Sequence, residues 1–155
     1  MERQEFLRSL GLGLAVVCTG SCLSACGGGD DDTSKPGNNN PPGNNPPPAG
    51  STVSINLSSL ATVGSAAKSG GVLFIRVADG NAAASFVATE ALCPHQGGNL
   101  NWLANNNLIQ CDSHAAQYQQ SGAIIRGPQG STGDTRALKI YAVTVSSTAV
   151  TATIS

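Results

Sequence analysis

Two short boxes, each with one cysteine and one histidine, constrain this chain more than any other feature. The first box runs from Cys93 to His95 and the second from Cys111 to His114, with fifteen residues between the boxes. Thiolates and imidazoles are common ligands of transition metals in proteins. Because both boxes have the order Cys then His, the sequence predicts a cofactor site with two sulfur donors and two nitrogen donors.

The boxes lie in the part of the chain that is predicted to be globular, from about residue 51 to residue 155. This length suits one domain with a modest core and is too short for two domains. Charge is sparse there, with five basic and four acidic residues, and the whole chain has a net charge of −1. No basic patch indicates binding to nucleic acid.

The first 26 residues are typical of a bacterial export signal with a lipid-attachment site. An apolar run follows Arg3 and Arg8 and is too short to span a bilayer comfortably. The run ends in Leu23, Ser24, Ala25 and Cys26, which resemble a bacterial lipobox. Residues 1–25 are therefore predicted to be a lipoprotein signal peptide and Cys26 the lipidated residue. The alternatives are an ordinary signal peptide with a coincidental cysteine, or a core helix.

A tether is predicted to follow the lipidated cysteine and to complete the segment of residues 26–50. From Gly27 to Gly50 the chain is rich in Gly, Asp, Asn and Pro, and apart from proline it has no hydrophobic residue larger than Ala49. Such a segment cannot bury enough apolar surface to fold, so we expect a disordered spacer. The protein is expected in the bacterial cell envelope, held to a membrane by its lipid anchor and facing the periplasm or the outside.

Alternation of apolar and polar residues predicts β-strands throughout residues 51–155. Short strands with close turn signals favour an all-β fold, an antiparallel sandwich or barrel. Residues 91–128 are rich in Gly, Asn, Gln and Ser and are predicted to form a small inserted lobe that carries the boxes. Residues 58–67 have room for one helical turn. The predicted strands are residues 53–57, 72–77, 84–89, 108–110, 137–145 and 149–154.

In detail the boxes resemble those of the Rieske [2Fe–2S] family. The first fits C-x-H-x-G and ends at Gly97, and the second fits C-x-x-H-[GA]-x-x-[FY] and ends at Tyr118. The resemblance implies that the two cysteines bind one iron of the cluster and the two histidines bind the other. Gly97 suits a tight loop in which a side chain would crowd the cluster. Gly127 and Pro128 lie where the family has a proline loop over the cluster.

The chain departs from the Rieske proteins of quinol–cytochrome c reductases at three positions. Those proteins have two extra cysteines that bridge the cluster loops, where this chain has Gly98 and Ser113. They also have a serine that donates to a bridging sulfide, where this chain has Ala116. Loss of that hydrogen bond lowers the reduction potential, because the bond stabilises the more negative reduced form. The resemblance therefore implies a Rieske-type ferredoxin, in the lower half of a family range of about −150 to +300 mV.

Two other interpretations of the boxes remain open at the level of sequence. A zinc site with two cysteines and two histidines uses the same residue types. Finger-type zinc sites, however, group Cys with Cys and His with His, at a wider spacing than Cys-x-His. A disulfide between Cys93 and Cys111 suits an oxidising envelope but leaves both histidines unexplained.

The resemblance implies a membrane-tethered one-electron carrier that exchanges electrons with a partner protein. That partner would be a cytochrome, or a quinol-oxidising or molybdenum subunit. One alternative is an electron-transfer subunit of a quinol-oxidising or molybdenum oxidoreductase complex, and a second is a structural zinc-binding module. The chain is expected to be a carrier rather than a stand-alone enzyme, since no nucleophile–base pair for hydrolysis stands out in the sequence.

Overall fold

The computed structural model describes residues 47–155. The predicted signal peptide, Cys26 and nearly all of the predicted tether lie outside the described residues. Regular structure in this part of the chain consists of ten β-strands and three short 3₁₀ turns. No helix among residues 47–155 is long and apolar enough to pass through a bilayer. The prediction of an all-β fold is confirmed.

The ten strands form two antiparallel sheets. In chain order the strands are β1 (Thr52–Asn56), β2 (Ala66–Ser69), β3 (Val72–Arg76), β4 (Phe86–Glu90), β5 (Leu100–Leu103), β6 (Leu108–Cys111), β7 (Gln117–Tyr118), β8 (Ile124–Arg126), β9 (Ile140–Val145) and β10 (Ala149–Thr153). The larger sheet has the order β1, β10, β9, β4, β3, β2, and the smaller sheet has the order β5, β6, β7, β8.

The six-stranded sheet curls into a nearly closed barrel. Its edge strands, β1 and β2, approach each other, and Ser69 Oγ donates a hydrogen bond to the Ser54 carbonyl at 3.1 Å. This contact covers part of two edges that would otherwise present unpaired backbone groups.

Strand β3 separates two hydrophobic cores. Val72 and Phe74 pack inside the barrel, whereas Leu73 and Ile75 pack into a second core that contains Tyr118. Successive residues of a strand point to opposite faces, so a strand between two cores needs an uninterrupted apolar run. This position explains why residues 72–77 show no alternation.

The four-stranded sheet occupies the stretch of chain between β4 and β9. Within it, β5 and β6 form an antiparallel pair in which Leu100 lies opposite Cys111. The first box precedes β5 and the second begins at the end of β6. Their pairing therefore brings both boxes to the same end of this sheet.

Four strands were not predicted from the sequence, namely β2, β5, β7 and β8. Strand β7 has two residues, and all three residues of β8 are exposed, so neither carries an alternating pattern. These strands form because a neighbour supplies their hydrogen bonds. The helical turn allowed within residues 58–67 is a 3₁₀ turn at Leu57–Leu60. Strand β9 begins at Ile140 rather than at residue 137, since the Lys139 N–H donates to Glu90 Oε1 at 2.9 Å.

Candidate metal centre

The first box lies in the loop between β4 and β5. Cys93 is 3% exposed, and its backbone N–H donates to the Gly98 carbonyl at 2.7 Å. The Gly97 N–H donates to the Cys93 carbonyl at 2.9 Å, which closes a tight turn. Gly97 has a φ of +75°, in the left-handed region that favours glycine. The turn thus fixes the backbone on both sides of His95.

The second box lies in the loop between β6 and β7. Cys111 is 1% exposed, and its N–H donates to the Ala116 carbonyl at 2.9 Å. Ala115 has a φ of +52°, a conformation that costs a non-glycine residue about 1–3 kcal/mol. Arg126 donates to the Ala115 carbonyl at 3.2 Å and helps to hold this strained turn. The two hydrogen bonds fix the loop that carries His114.

All four predicted donors come together where these two loops meet. The His95 and His114 ring centroids are 5.0 Å apart, with the rings edge to face at 80°. The side chains of Cys93 and Cys111 belong to one buried cluster and interact with each other. Among residues 47–155, no three His, Cys, Asp or Glu side chains form a group able to hold one metal ion. The donors are arranged as a pair of thiols and a pair of imidazoles.

Both imidazoles present a buried nitrogen that has no partner in the described part of the chain. These nitrogens are His95 Nδ1 and His114 Nδ1. His95 Nε2 lies 2.9 Å from the Thr132 carbonyl, and since a carbonyl only accepts, Nε2 carries the hydrogen. His95 Nδ1 therefore presents a lone pair, the state in which a neutral imidazole binds a metal. Burying such a nitrogen with no partner costs about 1–3 kcal/mol, which a metal ligand bond would offset.

The two cysteines are free thiols, so the structure contains no disulfide between them. Burial raises the pKa of the Cys93 thiol above its ordinary value, and the hydrogen bond with Tyr118 at 3.3 Å opposes that shift. Burial also raises the pKa of Tyr118, so the phenol keeps its hydrogen and can donate it. Coordination to a metal ion would deprotonate a buried thiol that otherwise stays neutral. The thiol pair, like the imidazole pair, fits a bound metal cofactor.

The comparison that identifies the family agrees with this donor set. The family model of the Rieske [2Fe-2S] domain matches residues 60–143, which include both boxes and strands of both sheets. The chain belongs to the Rieske [2Fe–2S] domain family. Its cofactor is a [2Fe–2S] cluster, as the boxes predicted, rather than a single zinc ion.

Similar proteins include iron-sulfur subunits of cytochrome b6-f complexes. The subunit from Synechococcus sp. (strain JA-3-3Ab) is 36% identical over 69 residues, which are 44% of this chain and 37% of that protein. The subunit from Chlorobaculum tepidum is 41% identical over 49 residues, which are 32% of this chain and 27% of that protein. In both cases the chain matches well under two thirds of the relative's length.

One similar solved structure is that of a plasma membrane Rieske protein from the cyanobacterium Synechocystis PCC 6803. It is 24% identical in sequence, with a TM-score of 0.48. The superposition covers 63% of this chain and 97% of that chain.

The two cluster loops of this Rieske domain are joined by hydrogen bonds instead of a disulfide. At the positions of the family's bridge, a Cβ added to Gly98 would lie 2.9 Å from Ser113 Cβ. Beside them, Asp112 Oδ1 accepts from the Asn99 N–H at 2.9 Å and Oδ2 accepts from Asn99 Nδ2 at 3.2 Å. The Asp112 N–H donates to the Asn99 carbonyl at 3.0 Å. We call this pair of residues, Asn99 and Asp112, the loop clip.

Further contacts hold the carboxylate of the loop clip in its charged form. Ser113 Oγ donates to Asp112 Oδ1 at 3.1 Å. Burial acts to raise the pKa of Asp112, but the hydrogen bonds from Asn99 and Ser113 and the charge of Lys68 outweigh it. The pKa is lowered overall, so the loop clip keeps its negative acceptor at neutral pH.

Residues 127–135, which follow both boxes in the chain, lie against the site, and we call them the covering segment. The Gln129 N–H donates to the His114 carbonyl at 2.7 Å. Gln129 directly follows Gly127 and Pro128, the residues predicted to form the proline loop. Thr132 binds His95 Nε2 through its carbonyl. A Cβ added to Gly133 would lie 3.6 Å from the same nitrogen. The covering segment therefore reaches both imidazole-bearing loops.

The sequence predicted four donors, Gly97, Tyr118, Gly127 and Pro128. The structure puts the donors, Gly97 and Tyr118 together, and puts Gly127 and Pro128 next to Gln129, which contacts the His114 carbonyl. Sequence reasoning missed the loop clip, and it missed Thr132 and Thr135 in the covering segment. Asp112 stands inside the second box, so its position offered a signal for the loop clip. Thr132 acts through a backbone carbonyl, which any residue type supplies, so its side chain carried no signal.

Replacing Asp112 with Ala is expected to loosen the two cluster loops. The variant loses the acceptor for Asn99 and Ser113, and we expect the free energy of unfolding to fall by about 1 kcal/mol. Iron release from the loaded protein, followed by the loss of visible absorbance under a chelator, should become faster. Asp79→Ala, an exposed aspartate after β3, is the matched control and should release iron at the wild-type rate. Equal rates for the two variants would contradict the loop clip.

Proposed function

We propose that the domain is a one-electron carrier that holds its cluster through Cys93, His95, Cys111 and His114. In this assignment the two thiolates bind one iron and the two imidazoles bind the other. The observation that carries the proposal is the pair of buried, unpartnered Nδ1 atoms next to a pair of buried thiols. Two chemically different pairs are the donor set that a cluster with unlike irons requires.

The two cysteines, His95 and two neighbouring residues each have a definite task in electron transfer. A Rieske cluster supplies reversible uptake of one electron when it is bound. Cys93 and Cys111 exclude water from the sulfur side, since both are almost fully buried. The Tyr118 hydroxyl lies 3.3 Å from Cys93 Sγ and donates to the thiolate. Thr132 orients the His95 ring by accepting its Nε2 hydrogen. Pre-formed loops of this kind need little rearrangement when the charge of the site changes.

The ligand assignment is tested by Cys111→Ser in the full chain. Serine lacks the thiolate, so the purified variant should lose most of its iron and inorganic sulfide and its reduced EPR signal. Cys18→Ser is the matched control, because it makes the same change outside the Rieske domain and should keep all three. Wild-type protein is expected to contain iron and sulfide in equal amounts. Protein with zinc and no sulfide would contradict the proposal.

The potential is proposed to lie in the lower half of the family range because Ala116 has no hydroxyl to donate. Ala116 is fully buried beside Cys111. Ala116→Ser should therefore raise the midpoint measured by redox titration, since a new donor would stabilise the reduced form. Ala123→Ser, an exposed alanine in the turn between β7 and β8, should leave it unchanged. A lowered or equal midpoint in Ala116→Ser, with iron content intact, would contradict this explanation.

The carrier is further proposed to be tethered to a membrane of the bacterial envelope through lipids on Cys26. The lipobox-like residues before Cys26 and the Gly/Asn/Pro segment after it support this proposal. A cysteine with two or more acyl chains is held stably at a bilayer, whereas one chain is marginal. The domain would then face the periplasm or the outside, at the end of a flexible spacer.

Cys26→Ser in the full chain should move the protein from the membrane fraction to the soluble fraction. The loss of the acyl chains removes the anchor, and mass spectrometry of the mature N-terminus reports the lipid directly. Cys22→Ser is the matched control and should remain with the membranes. Retention of Cys26→Ser in washed membranes would contradict lipid anchoring at this residue.

A second candidate function is that of an iron-sulfur subunit of a larger complex. The relatives named as cytochrome b6-f complex iron-sulfur subunits favour it. In that case the proposed partner is a quinol-oxidising subunit, a cytochrome subunit or a molybdenum subunit. Gentle detergent extraction of the native protein separates the two functions, because a free carrier migrates alone and a subunit migrates with its partners.

A further inference from the structure

The buried Tyr118 hydroxyl lies between two polar partners. Its oxygen is 3.3 Å from Cys93 Sγ on one side and 2.6 Å from Thr135 Oγ1 on the other. Tyr118 is fully buried, whereas Thr135 is half-buried in the covering segment. Cys93, Tyr118 and Thr135 therefore form a continuous chain of polar contacts that leads from a proposed cluster ligand to the covering segment.

The directions of the hydrogen bonds follow from the number of hydrogens available. A metal-bound thiolate has no hydrogen to give, so Tyr118 must donate its single hydroxyl hydrogen to Cys93 Sγ. The Tyr118 oxygen then accepts from the Thr135 hydroxyl. The other acceptor near Thr135 Oγ1 is the Arg136 carbonyl at 3.4 Å, which is too long to compete with a 2.6 Å contact.

We propose that Thr135 is a positioning residue that raises the reduction potential of the Rieske centre by acting through Tyr118. The proposal rests on the proposed role of Cys93 as a ligand. A hydroxyl that accepts a hydrogen bond becomes a stronger donor, since the two bonds polarise each other. Thr135 therefore strengthens the bond from Tyr118 to Cys93 Sγ. That bond favours the reduced state, in which the sulfur carries more negative charge.

The neighbours of Thr135 in sequence hold it in place. Arg136 makes a two-point ion pair with Glu90, with Nη1 to Oε1 at 2.6 Å and Nη2 to Oε2 at 2.8 Å. Glu90 is 7% exposed, and it also accepts from the Lys139 N–H at 2.9 Å. A bidentate pair between a guanidinium and a carboxylate fixes both position and orientation. The covering segment is thus anchored one residue beyond the hydroxyl that contacts Tyr118.

The test is a redox titration of five variants of the full chain with intact iron and sulfide. Thr135→Val removes the donor while keeping the branched shape, and it should lower the midpoint by less than Tyr118→Phe does. Thr135→Ser keeps a hydroxyl and should stay near the wild-type midpoint. In the double variant with Tyr118→Phe, Thr135→Val should cause no further shift, because its effect passes through the phenol. Thr144→Val, an exposed threonine on β9, is the matched control and should leave the midpoint unchanged.

Three outcomes of the titration would overturn the proposal. They are an unchanged midpoint in Thr135→Val, a midpoint in Thr135→Ser as low as that of Thr135→Val, and an undiminished shift in the Tyr118→Phe background. If Thr135→Val fails to retain iron, Thr135→Ala replaces it, and failure of both also overturns the proposal because a tuning residue leaves loading intact. Wild-type protein without iron and sulfide would instead overturn the proposed function itself.

Discussion

Two buried imidazole nitrogens that find no hydrogen-bond partner among residues 47–155 are the constraint on which this structure depends most. Each would destabilise the fold by about 1–3 kcal/mol if left without a ligand. The cost is tolerated because the loops that carry them rest on a continuous apolar layer. Strand β3 contributes Leu73 and Ile75 to that layer, and the four-stranded sheet contributes Leu100 and Ile109 from its own side. The same apolar layer therefore stabilises the lobe and supports the loops that carry the two histidines.

The site depends on three attachments that differ in strength and exposure. The loop clip joins the two loops that carry the Cys-His boxes at the surface, where water competes for each hydrogen bond. The ion pair between Glu90 and Arg136 anchors the covering segment to the barrel. The Glu90 side chain is mostly buried, whereas that of Arg136 is half exposed. Tyr118 is fully buried and connects Cys93 to that segment. The attachments to the barrel and to Tyr118 are thus the more buried ones, and the loop clip is the most exposed of the three.

A feature could be predicted from the sequence wherever its role requires a particular type of side chain. The four predicted donors could be selected because few side chains bind iron, and strands β1 and β10 were predictable because one face of β10 is buried and one face of β1 is half-buried. Contacts made by backbone atoms were not predictable, as the Thr132 carbonyl on His95 illustrates. Thr135 was missed for a different reason, since threonine is common in β-proteins and its partner Tyr118 lies seventeen residues earlier in the chain. Only the folded arrangement reveals that the two hydroxyl groups are neighbours.

The close contact at Gly98 has a consequence for how such a domain can change over time. A side chain there would meet Ser113 Oγ, and its Cβ would lie 2.8 Å from Cys111 Sγ and 2.9 Å from Ser113 Cβ. A disulfide needs its two Cβ atoms about 3.5–4.5 Å apart. The loops would therefore have to separate before a pair of cysteines could be joined. In this backbone, cysteines at positions 98 and 113 would therefore not by themselves have the Cβ spacing of a disulfide.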